Sequence, residues 1–266
     1  MTWGSVPEIV AGNRSKFAAC EALLVFARNN RPSEAPARTE AGQIVMRTYV
    51  RSSKTYQAAL RLALVGYGVQ AGMLARSLFE DMAVAHWAWE NPDDAPVLIE
   101  KHMRHTRDVF RGRFDKYDLL TEAEADEWQP LSEKERTSLD EEFARGNFWW
   151  KRSLYEVVKE IEHQWPDERD RRLLWQVFDI THSFNNALLH HTGFALGLAA
   201  EQVEDRVRLD VGPSNMHVAD ALGSMFFSYV QTTSLVLRKQ ALDELLRLYS
   251  EHIGAFVRVR PEQEKT

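Results

Sequence analysis

Apolar residues recur along most of this chain at intervals of three and four, the period of an α-helix that buries one face, and no series of strictly alternating segments interrupts them. The spacing predicts a first helix over 7–28, with Pro7 in its first turn and Ile9, Phe17, Leu24 and Phe26 on its apolar side. Asn29-Asn30-Arg31-Pro32-Ser33 stops it. A long helical stretch follows over 40–90, in which Gly66, Gly68 and Gly72 mark a kink or a close helix–helix contact. Asn91-Pro92-Asp93-Asp94 closes that stretch and opens a helix over 95–117.

The segment 118–147 is acidic, and its short helices announce themselves through two capping-box patterns, Thr121-Glu122-Ala123-Glu124 and Ser132-Glu133-Lys134-Glu135. It reads as a surface insertion between two halves of a bundle. Beyond the aromatic Phe148-Trp149-Trp150 run, a helix ends near Trp165-Pro166, and the next covers 167–193. A connection over 198–213 holds one short extended piece at Arg206-Val207-Arg208-Leu209, and a final helix covers 215–255. The expectation is an all-α helical bundle with at most one extended segment. It forms a single domain over 1–257, followed by a flexible tail at 258–266.

Composition narrows the function classes. A net charge of −6 argues against broad nucleic-acid binding through a cationic surface. One cysteine, Cys20, excludes a disulfide framework and a zinc-finger cluster, and fits a reducing cytosol. The start carries no basic region followed by an apolar stretch, so no secretory signal is expected. The charge-free runs 180–200 and 221–237 hold too many histidine, asparagine, serine and threonine residues to cross a bilayer. Phosphate loops, dinucleotide fingerprints and nucleophile elbows are absent from the sequence. The expected protein is therefore cytoplasmic, makes no membrane contact and needs no cofactor.

Four groups of residues could carry chemistry. Asp179, His182, Asn186 and His190 fall on one face of the expected 167–193 helix, with His191 beside them. A polar stripe in an apolar helix is costly without partners, so it is either a satisfied core network or a site. The second group is Arg76 and Glu80, one turn apart in Ala75-Arg76-Ser77-Leu78-Phe79-Glu80-Asp81. They form either a register-fixing ion pair or the wall of a cavity shared with His190. The third group is the pair of carboxylate-x-x-His spacings Glu160/His163 and Asp179/His182, which with Glu80 and Glu100 imitate a di-metal carboxylate bundle. The fourth is a basic strip on the 95–117 helix, where Lys101, Arg104 and Arg111 make either a solvated face or a track of phosphate contacts.

Asn185-Asn186-Ala187-Leu188-Leu189-His190 resembles the Arg-Asn-x-x-x-His signature of the HEPN superfamily of helical bundles, with Asn185 where the arginine stands. The Arg76-to-Glu80 element, the segment 150–155 and the later histidines also resemble an uncharacterised bacterial family with an Arg-Ser-Leu-aromatic-Glu element, over roughly 55–193. The superfamily resemblance implies a metal-independent endoribonuclease of the defence or toxin–antitoxin kind. His190 would move protons, Asn186 would orient the phosphate, and Asn185 would be a weaker stand-in for the phosphate-holding arginine. Arg171 or Arg172 could substitute for the missing cation. It also implies a homodimer, RNA as substrate and an antitoxin or defence-system partner protein. The competing expectation is a non-catalytic interaction or dimerisation module.

Overall fold

The computed structural model describes residues 6–117, 119–121, 123, 128–143, 151–184, 200–203, 206–209 and 213–256. Two long helices, α3 (Glu40–Leu64) and α4 (Gly68–Glu90), form an antiparallel hairpin at its centre. The helix α9 (Val218–Ser234) packs chiefly against α4 and then against α3. Around this trio lie α1 (Val6–Gly12), α2 (Arg14–Asn29), α7 (Leu154–Gln164), α8 (Glu168–Phe178) and α10 (Lys239–His252). The helix α5 (Asp94–Asp115) leaves the bundle with α6 (Glu133–Phe143) alongside it. The all-α bundle expected from the periodicity is the observed architecture. None of the described helices is long and apolar enough to cross a membrane.

The core is continuous, and α4 runs through its middle. Ala71, Ala75, Ala83, Ala85 and Ala88 on α4 are buried, as are Leu78, Phe79 and Met82. Small residues on several sides let α3 and α9 approach closely, and the aromatic and branched side chains fill the remaining volume. From α9 come Leu222, Met225, Phe226, Phe227 and Val230, all buried. Tyr229 of α9 stacks on Tyr56 of α3 at 4.4 Å between ring centroids.

The long helical stretch over 40–90 breaks at Val65-Gly66-Tyr67. Gly66 takes a φ of 82°, which other residues adopt only with strain. A side chain there would also meet Ile9 and Pro213. Its carbonyl accepts from the Ser214 backbone N–H at 2.9 Å, and Tyr67 bridges to Ser214. The bend is therefore held from outside by the segment leading into α9.

Three expected helices divide differently. The 7–28 helix is two, because the Asn13 amide donates to the Ile9 carbonyl at 3.0 Å and to Asn215 at 2.7 Å. The 215–255 helix is also two. Leu235, Val236 and Leu237 pack towards the core between the two helices, and the Val236 carbonyl accepts from the Ser33 N–H at 2.7 Å, which ties the break to the segment after α2. The 167–193 helix changes character at Asp179, where α8 gives way to a π-helical turn over Asp179–Phe184. The extended piece at 206–209 has a partner: β1 (Ala200–Val203) pairs antiparallel with β2 (Arg206–Leu209), Ala200 opposite Leu209.

The acidic insertion is tied to α5 by charge. Its capping box at Ser132 and Glu135 is formed, while most of the one at Thr121 lies outside the described residues. Lys101 pairs with Glu142 at 3.2 Å, Arg104 with Glu135 at 3.1 Å, and Asp108 accepts from Arg136 at 2.7 Å. His105 lies 2.8 Å from Asp140. The tail at 258–266 lies outside the described residues.

Two buried ionisable groups lock the centre. Asp81 on α4 is fully buried and accepts from Arg51 and, at 3.0 Å, from the Ser52 hydroxyl, joining α3 to α4. Arg51 is 66% exposed, so it can lose its partner cheaply while Asp81 cannot. Arg51→Ala should cost about 3 kcal/mol in urea unfolding, and adding Asp81→Asn should restore most of that. His86 is buried against Trp165, and burial pushes its pKa down to about 4 from 6.5, against the opposing pull of a bond to the Gln231 backbone. Its neutral form is thus the one the fold accepts, and its contribution is lost as pH falls from 6.5 towards 4. The loss should reach about 3 kcal/mol. His86→Gln should flatten that part of the stability–pH curve, and an unchanged curve would contradict the assignment.

Candidate functional site

On α4, Ala75, Leu78, Phe79 and Met82 point into the core and leave Arg76 and Glu80 one turn apart at its edge. The Arg76 Nε donates to Glu80 Oε1 at 3.0 Å, with the two side chains only 19% and 24% exposed. At that depth the pair is held by more than solvent-screened attraction, and its charge-assisted bond fixes both groups in place.

The facing element begins at Asp167, whose carboxylate caps α8 by accepting from the Arg169 and Asp170 backbone N–H groups at 2.7 and 3.1 Å. Leu173, Leu174, Val177 and Phe178 anchor the helix in the core. Thr181 is buried, and its hydroxyl donates back to the Val177 carbonyl at 2.6 Å as the helix widens into the π turn. A π turn changes the residue spacing that stacks along one side, so Asp179 and His182 are not related as in a straight α-helix. Asp179 faces solvent and His182 turns inward.

His182 lies on an aromatic floor. Its ring stacks on Phe178 at 5.1 Å between centroids, and Phe178 in turn contacts Phe79, Trp175 and Tyr155. Burial holds the His182 pKa below the ordinary histidine value; the positive charge of Arg76 adds to that, and Glu80 opposes it. The imidazole is therefore within the electrostatic reach of both members of the α4 pair. Its Nδ1 is buried with no hydrogen-bond partner among the described residues.

Of the residues expected to form a site, the fold thus assembles Arg76, Glu80 and His182 and separates Asp179 from them. Asn185, Asn186, His190 and His191 lie outside the described residues. Arg171 and Arg172 sit in the first turns of α8, and the guanidinium felt by His182 is that of Arg76. The basic strip is engaged: Lys101 and Arg104 face α6 carboxylates, and Arg111 donates to the Trp128 carbonyl.

The di-metal arrangement is not assembled. His163 and Asp179 are exposed, Glu160 pairs with Arg152, and no group of three ligands converges among the described residues. Trp175 was not an expected participant. Its spacing three residues before Phe178 and seven before His182 was the available signal, but it is equally the spacing of an ordinary core face.

Fold and site together define an all-α bundle protein with an arginine–glutamate–histidine cluster where a central helix meets a π turn. Residues 42–192 match the family of unknown function DUF5677, and the chain belongs to it. That span takes in Arg76, Glu80 and His182 and ends just past His190-His191. No curated protein and no solved structure matches the chain.

The electrostatic arrangement can be measured directly. In an NMR titration the His182 ring should change charge below pH 6.5. Arg76→Gln should move that transition upwards and Glu80→Gln should move it downwards. Equal behaviour in all three proteins would show that His182 does not sense the pair.

Proposed function

We propose that this chain is a HEPN-like protein that acts on RNA, with Arg76 supplying the cation that its Asn-Asn-x-x-x-His run lacks. The observation that supports this reading is the packing of the π turn against α4, which sets His182, four residues before Asn186 in sequence, within the electrostatic reach of Arg76. A phosphate-cleaving site without a metal needs a fixed positive charge and a group that can take a proton near neutrality. Arg76 is a permanent cation already oriented by Glu80, and a guanidinium has donors enough to hold a carboxylate and a phosphate together.

In this mechanism His190 takes the proton from a ribose 2′-hydroxyl as its oxygen attacks the adjacent phosphorus, and the 5′-oxygen of the next nucleotide leaves with a proton from water, so that a 2′,3′-cyclic phosphate remains. Asn186 orients the phosphate, Asn185 adds a neutral hydrogen bond, and Arg76 stabilises the charge that grows on the non-bridging oxygens. His182, whose charged form burial disfavours, packs beside Arg76 as a neutral group and positions it. The defence or toxin–antitoxin setting, the homodimer and the antitoxin or partner protein belong to the same proposal. One observation favours the competing reading of a non-catalytic interaction module: Arg76 and Glu80 already satisfy one another, as a register-fixing pair would.

The two readings separate in one assay. Purified protein incubated with pooled tRNA and mRNA should produce discrete fragments. His190→Ala, Asn186→Ala and Arg76→Gln should each slow their appearance by about 100-fold or more without a matching fall in melting temperature. Intact RNA with the wild-type protein, or cleavage indifferent to all three substitutions, would remove the enzymatic reading.

A further inference from the structure

The side of α5 turned away from α6 has no place in the site just described. The helix contacts the bundle through Ala95, Leu98 and Ile99 near its start. Further along, Lys101, Arg104 and Asp108 occupy the side paired with α6. At 100° per residue, Met103, Arg107, Phe110, Arg113, Phe114 and Tyr117 share the opposite side, a strip about 21 Å long. Phe110 is 41% exposed, Tyr117 64% and Met103 41%, and both arginines are exposed. Phe110 and Phe114 stack at 5.7 Å, and Phe114 continues to the Trp128 ring at 6.2 Å. Lys116 places its ammonium 5.4 Å from the centre of the Tyr117 ring.

We infer that this strip binds single-stranded RNA by stacking bases on its rings and pairing phosphates with Arg107 and Arg113. Aromatic rings alternating with cations are what a single strand needs, because every nucleotide offers a flat π-face and a negative charge. The strip is the surface of one helix and so is convex. An acidic peptide would find no groove for its own side chains there, whereas a base needs only a ring to lie on. A second copy of the chain would bring like-charged arginines face to face. The inference rests on the RNA reading above and places the backbone contacts on the outward side of the helix, while the Lys101–Arg104–Arg111 strip faces α6 and Trp128.

Binding can be read without cleavage by using a short fluorescent oligouridylate whose 2′-hydroxyls are methylated. Anisotropy should show saturable binding that weakens as salt rises from about 50 to about 200 mM. Phe110→Ala with Tyr117→Ala should weaken it by about tenfold or more. Arg107→Gln with Arg113→Gln should also flatten the salt dependence, while Lys239→Gln on α10, which packs on α2 and α9, should leave affinity within about twofold. All substituted strip residues are exposed, so circular dichroism and melting should be unchanged.

Binding that survives both strip double variants would overturn the inference and leave the cleavage assay standing. Absence of any binding at low salt would overturn it as well. So would a loss of self-association in the Phe110/Tyr117 variant with RNA binding intact, because the strip would then be a contact between copies. Binding without cleavage of the natural RNA pool would support the strip while removing the catalytic reading.

Discussion

The ionisable groups at the centre of this protein are arranged around the confinement of α4. The helix is hemmed in by α3, α7 and α9, and its interior positions are alanine, leucine, phenylalanine and methionine. An ionisable group on such a helix must either bring a partner into the core or sit at the edge where two packed elements part. Asp81 takes the first course through Arg51 and Ser52. His86 stays neutral. Arg76 and Glu80 take the second course, and the gap they occupy is the one the π turn closes over.

That arrangement explains why the chemistry collects where it does. A straight continuation of α8 would keep Asp179 and His182 on neighbouring sides of one cylinder. The wider turn, stabilised by the bond from Thr181 to the Val177 carbonyl, sends the aspartate to solvent and the imidazole towards α4. A carboxylate in place of the imidazole would set a second negative charge beside the one Glu80 already brings to Arg76. The turn instead supplies an imidazole whose pKa is lowered, beside the ion pair of Arg76 and Glu80.

The arm formed by α5 and α6 shows the complementary use of charge. Its facing sides pair basic with acidic side chains, many of them exposed, where each pair adds little to stability but the set determines which side of α5 is covered. The covered side consumes the cations most conspicuous in the sequence and leaves outward the mixed aromatic and arginine side. An acidic protein can thereby carry a local basic strip without a basic surface.

The helical class, the helical character of 40–90, the capping box at Ser132 and the i,i+4 pairing of Arg76 with Glu80 were legible in the chain, because each depends on neighbours within a turn or two. The bend near Gly66 was readable as a glycine cluster, although its cause, the docking of residues 213–214, was not. The breaks at Asn13 and at 235–237 follow from Asn215 and Ser33, partners some 200 residues away in sequence. The encounter of His182 with the α4 pair depends on a turn whose width periodicity does not register. Local spacing records the interactions a helix makes with itself. Which side is covered, and which histidine meets which arginine, was decided only when distant segments competed for the same surface.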